Sequence, residues 1–186
     1  MAANVLVGGP NGDAASSLRE VLHRAGRDRV AANPEETPML FDGPLEDRIA
    51  IRELLDAYAD AVSRCAAADW GALWAEDSVW SLPDYPEFLD TKGKAAIVAM
   101  WVEAMKGYSG MMFEAWPGSI IIKGDRADVR SWTSEVYDQE GAVHRDRGRY
   151  EDVCVKVNGR WLFESRSFRN IHRQVVEGGN PVLPSP

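Results

Sequence analysis

Cysteine is scarce in this chain, and its scarcity excludes two classes of protein. Among 186 residues only Cys65 and Cys154 carry thiols, and they form neither a CxxC pair nor a metal-ligand spacing. Zinc-finger and disulfide-scaffold proteins are therefore excluded, and no metal site is expected. One disulfide between the two is a conceivable interpretation, but two buried thiols in a reducing cytoplasm are the simpler one.

Long hydrophobic runs and an excess of basic charge are also absent. No apolar stretch approaches the roughly 20 residues that a membrane-spanning helix needs, so we expect no membrane as a partner. Lysine and arginine number 21 against 29 aspartates and glutamates, and this net charge of −8 argues against nucleic acid as a partner. The first residues, MAANVLVGG, contain neither a basic stretch nor a long apolar one, so we predict no secretory signal and a cytoplasmic protein.

Residues 1–43 differ in pattern from the rest of the chain. Their glycine-rich segment, Gly8–Gly12, follows three apolar residues but lacks the GxGxxG and GK[ST] spacings of nucleotide-binding loops. A proline-containing polar stretch follows it. We therefore predict an N-terminal extension, mobile or packed on a partner, rather than a nucleotide site.

Aromatic residues, in contrast, are plentiful. The chain has seven tryptophans, five tyrosines and five phenylalanines. Aromatic walls suit a cavity for a planar or apolar ligand, although the same residues could simply fill a core.

Helical periodicity is clearest directly after residue 44. Apolar residues from Ile51 to Cys65 recur at spacings of three and four, which predicts a long helix with one buried face. A short helix is predicted at 69–74 with Asp69 as its N-cap, and a third helix from Lys94 to about Lys106.

A period of two replaces the helical one after Gly110. Besides a short strand at 78–82, four strands are predicted, at 119–123, 127–137, 143–157 and 160–172. The pair Asn158–Gly159 between the last two is a strong hairpin signal. Helices followed by an antiparallel meander predict an α+β fold with the helices against one sheet face.

The order of these elements and several motifs resemble one known superfamily. On the first helix stand Ile51-Arg52-Glu53-Leu54-Leu55 and Tyr58; later motifs are Asp69-Trp70, Glu76-Asp77, Gly124-Asp125-Arg126-Ala127, Gly148-Arg149-Tyr150-Glu151-Asp152 and Gly159-Arg160-Trp161 with Arg166. Over residues 45–172 the chain resembles the nuclear transport factor two-like (NTF2-like) superfamily. The most similar branch is the polyketide cyclase-like (SnoaL-like) one, which includes scytalone dehydratase-like and bile-acid dehydratase-like proteins.

The resemblance implies a cone: a curved, mixed but mainly antiparallel sheet wrapped around the long N-terminal helix, with two further helices closing a pocket. The cone would occupy residues 44–174 and leave a loose tail at 175–186. Relatives usually dimerise through the outer sheet face, so a homodimer is expected. The implied chemistry is elimination, isomerisation or ring closure by acid/base side chains, without metal or organic cofactor.

Tyr58 is the first candidate catalytic residue. Its position on the apolar helix face directs its hydroxyl into the cone, and in the dehydratases that this chain resembles a tyrosine here polarises a substrate carbonyl. The acid of those enzymes aligns with Ser63 or Ala66, and their histidine falls near Phe113. Neither family group is present, so the proton-transfer residue must be sought elsewhere.

The alternation of side chains along the predicted strands indicates two other candidates for the proton-transfer residue. His144 and Asp152 share one face of the predicted third long strand, and either side chain could move a proton. For Asp152 a structural salt bridge with Arg166 or Arg130 is an equally good interpretation, and His144 could be exposed near its turn.

The remaining candidate site residues are pocket walls and polar groups that would bind substrate: Trp74, Trp80, Trp101, Met105, Met112, Phe113, Glu114, Trp116, Ser131 and Tyr150. Together they predict a cofactor-independent dehydratase, isomerase or cyclase acting on a small cyclic or polycyclic hydrophobic metabolite. The alternatives are a non-catalytic binding module, or a structural subunit similar to the small subunit of ring-hydroxylating dioxygenases.

Overall fold

The computed structural model describes residues 39–178. Most of the predicted N-terminal extension and residues 179–186 of the predicted tail lie outside this range. From Leu40 onwards the described chain forms one compact unit. Both cysteines are free; Cys154 is buried as expected, but Cys65 is exposed, so the prediction of two buried thiols is wrong for Cys65.

Within residues 39–178 three α-helices pack against one sheet. They are α1 (Leu45–Ser63), α2 (Ala67–Gly71) and α3 (Lys94–Met105), and a 3-10 turn covers Pro86–Phe88. The predicted apolar face of α1 is buried, as shown by Ile51, Leu54, Leu55, Tyr58, Ala61 and Val62. Its periodicity ends sooner than predicted, because Cys65 takes a left-handed φ of 52°. Asp69 lies inside α2 rather than capping it, and its carboxylate accepts a hydrogen bond from Arg64 instead.

In the described part of the chain seven strands form the sheet, in the order β1-β4-β5-β6-β7-β2-β3. Their bounds are β1 Phe41–Asp42, β2 Trp74–Ser81, β3 Asp90–Lys92, β4 Ser109–Lys123, β5 Arg126–Gln139, β6 Ala142–Val157 and β7 Arg160–Glu177. The pairs β1–β4 and β2–β7 are parallel and the others antiparallel. The sheet is curved and unclosed, which confirms the predicted α+β cone.

Two strands extend five or more residues beyond their predicted ends. β4 begins at Ser109 because a register shift between Pro117 and Ser119 lets the strand continue past a proline that cannot donate to the ladder. β7 continues to Glu177, three residues beyond the predicted domain boundary, because it pairs with β6 as far as Ala142.

The alternation of side chains along β5 shows which face of the sheet forms the core. The face of the sheet that meets α1 and α3, here called the inner face, carries Ala127, Val129, Ser131, Thr133 and Tyr137 of β5, all of which are buried. Gly148 of β6 has no side chain because the ring of Phe168 from β7 occupies that space; a Cβ atom there would overlap the ring. The aromatic ring therefore packs directly on the backbone of the neighbouring strand.

Candidate active site

A cavity of about 180 Å³ lies between α1, α3 and the inner face of the sheet. Most of its wall is apolar or aromatic: Val62, Trp80, Leu82, Phe88, Met100, Trp101, Ala104, Met105, Met111, Phe113 and Phe168. Its polar lining consists of Tyr58, Tyr85, Tyr108, Glu135, Tyr137, Asp146, Tyr150 and Arg173. A mainly apolar cavity with few convergent polar groups is typical of a small-molecule site.

Two tyrosines form the deep polar end of the cavity. The hydroxyl oxygens of Tyr58 on α1 and Tyr150 on β6 are 3.2 Å apart, and both rings are buried. Only one hydroxyl can donate in that bond, so the other keeps its proton for a ligand oxygen. Burial raises the pKa of both phenols, so both remain protonated donors at neutral pH.

Glu135 of β5 is the carboxyl group that lines the same cavity nearer its mouth. It pairs in register with Phe113 of β4 and with Asp146 of β6. Removal from water, and then repulsion by the Asp146 carboxylate, raise the pKa of Glu135 to about 8. A carboxyl with a pKa near the working pH can both accept and return a proton, which suits a general acid/base.

The mouth holds a second carboxylate in a tight polar cluster. Asp146 accepts hydrogen bonds from the Tyr137 hydroxyl at 3.0 Å and from Arg173 at 2.8 to 3.1 Å. Arg173, whose side chain is 45% exposed, also donates to the Tyr85 hydroxyl at 2.6 Å. The Asp146 carboxylate is thus held by Tyr137 and Arg173, and its charge contributes to the raised pKa of Glu135.

Neither predicted proton-transfer residue lines this cavity. Asp152 is buried in a two-point ion pair with Arg166, whose Nε and Nη2 donate to the two carboxylate oxygens at 2.9 and 3.1 Å. His144 lies one position beyond the cavity, where its ring stacks on Tyr137 at 5.0 Å between centroids. Asp152 thus forms the salt bridge with Arg166 that was its alternative interpretation. His144 contacts the cavity-lining ring of Tyr137 but does not itself line the cavity, so the catalytic roles of both residues stay predictions.

Comparison with known proteins identifies the family. The family model of the SnoaL-like domain matches residues 43–167. The chain belongs to the SnoaL-like domain family. No match was found among curated proteins.

Solved structures similar to this SnoaL-like domain share its fold. A candidate scytalone dehydratase from Novosphingobium aromaticivorans is 22% identical, with a TM-score of 0.63 over 76% of this chain and 97% of that one. A hexachlorocyclohexane dehydrochlorinase, LinA type 2, is 13% identical, with a TM-score of 0.66 over 76% and 97%. A ketosteroid isomerase-like protein from Erwinia carotovora is 20% identical, with a TM-score of 0.62 over 69% and 99%.

At positions where the resemblance implies catalytic groups, this SnoaL-like domain has Ser63 and Phe113, whose contacts stabilise the fold. The Ser63 hydroxyl donates to the Ala59 carbonyl at 2.9 Å and accepts the Phe113 backbone N–H, also at 2.9 Å. Ser63 thus fastens the end of α1 to β4, while the Phe113 ring packs against Tyr58.

Half of the predicted substrate-binding residues do line the cavity: Trp80, Trp101, Met105, Phe113 and Tyr150. The others do not. Trp74 and Ser131 are fully buried elsewhere in the core. Met112, Glu114 and Trp116 lie on the opposite, outer face of β4, where Met112 is 59% and Trp116 48% exposed, because alternate residues of a strand face opposite sides.

Glu135 was missed as a catalytic candidate although a signal was present. It belongs to the inward row of β5 that parity identifies, between Thr133 and Tyr137. What the sequence did not reveal was the apolar wall around it and the neighbouring Asp146, which together shift its pKa. Within residues 39–178 no group of three or more metal-binding side chains converges, and no helix is long and apolar enough to cross a membrane.

Proposed function

We propose that this SnoaL-like domain is an acid/base enzyme that moves a proton on a small, mainly apolar cyclic molecule bearing a carbonyl group. The observation that carries the proposal is the placement of Glu135, with a pKa raised to about 8, in the same cavity as the Tyr58–Tyr150 hydroxyl pair. Fold neighbours described as a dehydratase, a dehydrochlorinase and an isomerase-like protein support this class of chemistry.

The two polar ends of the cavity would have different roles in the reaction. The substrate carbonyl would accept a hydrogen bond from the tyrosine pair, which stabilises the negative charge that develops on its oxygen. Glu135, in its ionised form, would remove a proton from the adjacent carbon. In an isomerisation the same proton returns to another carbon; in an elimination it leaves with a departing hydroxide as water.

The cavity also limits the size of the substrate. An apolar cavity of about 150 Å³ accommodates benzene, so the 180 Å³ present here suits one ring with small substituents. This supports a monocyclic substrate over the polycyclic one that the sequence also allowed. The aromatic and methionine walls, such as Trp101, Phe168 and Met105, exclude water and so strengthen the hydrogen bonds inside.

Proton abstraction can be tested without knowing the reaction. We would incubate single-ring ketones with the protein in deuterated water and follow exchange at the carbon beside the carbonyl by NMR. Glu135→Gln should slow the protein-catalysed exchange roughly 10²- to 10⁴-fold, the usual contribution of a general base. Glu114→Gln is the matched control, since Glu114 lies on the outer face of the next strand.

The outcomes separate the proposal from its main alternative. Exchange that is equally fast in wild type and Glu135→Gln would contradict the role of Glu135. Ketones that bind in the cavity but never exchange would favour a non-catalytic binding module, which the structural use of Ser63 and Phe113 at the family's catalytic positions also favours.

A further inference from the structure

A buried arginine lies directly behind the tyrosine pair. The guanidinium carbon of Arg166 is 4.1 Å from the ring centre of Tyr58, 3.8 Å from that of Tyr150 and 4.0 Å from that of Phe163. Its side chain is completely buried and does not line the cavity. Burial of a guanidinium against the faces of three rings is unusual, because removal of its charge from water costs free energy.

The position of Arg166 follows from the sheet register. Asp152 of β6 stands opposite Arg166 of β7, and its two oxygens bind Nε and Nη2. Among the described residues Nη1 has no hydrogen-bond acceptor. The carboxylate therefore fixes the plane of the guanidinium, and the rest of the group has aromatic faces for neighbours.

We propose that Arg166 is a positioning residue that directs positive charge at the Tyr58–Tyr150 hydroxyl pair, so that the pair binds a substrate oxygen more tightly when that oxygen is negatively charged. This inference rests on the proposed function, because it concerns the same carbonyl-binding end of the cavity. The positive charge of Arg166 favours the anionic form of both phenols, which makes them stronger hydrogen-bond donors.

Other charged and titratable groups also face this end of the cavity. Glu135 on β5 opposes negative charge there when it is ionised, and its pKa of about 8 keeps it mostly neutral at pH 7. Asp152 partly offsets Arg166, and the Cys154 thiol beside it stays protonated because burial raises its pKa. At pH 7 the nearby charge that favours negative charge on the phenols is therefore that of the guanidinium, which acts against the effect of burial.

The ionisation of a bound phenol measures this effect. 4-Nitrophenol is a single ring of suitable size, titrates near pH 7, and its neutral and anionic forms absorb at different wavelengths. We expect wild-type protein to bind the anion preferentially, so that the spectrum of the bound probe at pH 7 is more anionic than that of the free probe. Loss of probe binding in the Tyr58→Phe variant would show that the probe binds at the tyrosine pair.

Two variants change this preference in opposite directions. Replacing the ion pair by Arg166→Met with Asp152→Leu removes both buried charges, which proteins often tolerate, and should lower the anion preference about tenfold. Asp152→Asn leaves the arginine less compensated and should raise it. A purely structural role for Arg166 would weaken binding of both forms alike and would move both variants in one direction.

The control removes a different arginine–carboxylate ion pair, which does not line the cavity: Arg126→Met with Glu164→Leu. Arg126 and Glu164 form an ion pair between β5 and β7. The inference would be overturned if the double variant that removes Arg166 kept the anion preference, or if wild type preferred the neutral probe. Neither result would contradict the role of Glu135. Failure of wild type to bind either form would overturn both, because the cavity would then not be a site for a ring bearing oxygen.

Discussion

The pKa of Glu135 predicts a change in protein stability that can be measured without any substrate. The folded protein holds this carboxyl's pKa at about 8, against a reference value of 4.5. The folded state therefore binds the proton more tightly than the unfolded chain does. Stability from this group is fully present below pH 4.5 and is lost as pH rises towards 8.

Glu135→Gln removes that loss, because glutamine resembles the protonated carboxyl and does not titrate. Each pKa unit corresponds to 1.36 kcal/mol. Between pH 5.5 and 8.5 the free energy of unfolding of wild type should thus fall by about 3 kcal/mol relative to that of the variant. With a urea dependence of about 2 kcal/mol per molar, the two midpoints should separate by roughly 1.5 M over that range.

Urea unfolding followed by tryptophan fluorescence at five or six pH values supplies the measurement. Glu114→Gln is the matched control: its side chain is exposed on the outer face, so we expect the substitution to change stability little. Parallel stability curves for wild type and Glu135→Gln would refute the assigned pKa, and with it the physical basis for Glu135 as the proton carrier.

Three further predictions follow from the packing and the surface. Gly148→Ala should destabilise the fold by about 2 to 4 kcal/mol in thermal or urea unfolding, because the added methyl group overlaps the ring of Phe168; wild-type stability in this variant would contradict that close packing. A thiol reagent should modify one cysteine per native chain, the exposed Cys65, and a second, Cys154, only after unfolding; two fast-reacting thiols in the native protein would argue against burial of the second. Sedimentation should give a homodimer, and Trp116→Glu on the outer sheet face should yield monomers; a wild-type monomer would remove the dimer prediction.

The sequence predicted the fold well because the periodicity of apolar residues is a local property of the chain. The stripe from Ile51 to Val62 specified α1, and alternation along β5 and β6 specified which side chains face inward. It failed on β4, where Pro117 interrupts the pattern. Without that half of the strand, parity could not be applied to Met112 and Trp116, and both were assigned to the wrong face.

The site was harder to predict than the fold because it depends on distances between strands. His144 and Asp152 have the correct parity, but the cavity contacts only the stretch of β6 between them. One lies past the mouth and the other lies behind the tyrosine pair, opposite Arg166. Glu135 has the same parity on the adjacent strand, and only the three-dimensional position of the cavity distinguishes it from them.

The placement of Glu135 on the sheet wall has a stereochemical consequence. A planar ring held between the helices and the sheet would expose only one of its faces to this side chain. If the same carboxyl removes and returns the proton, both events take place on one face of the ring. The product of an isomerisation would then carry the proton on the face from which it left, and an elimination would be syn.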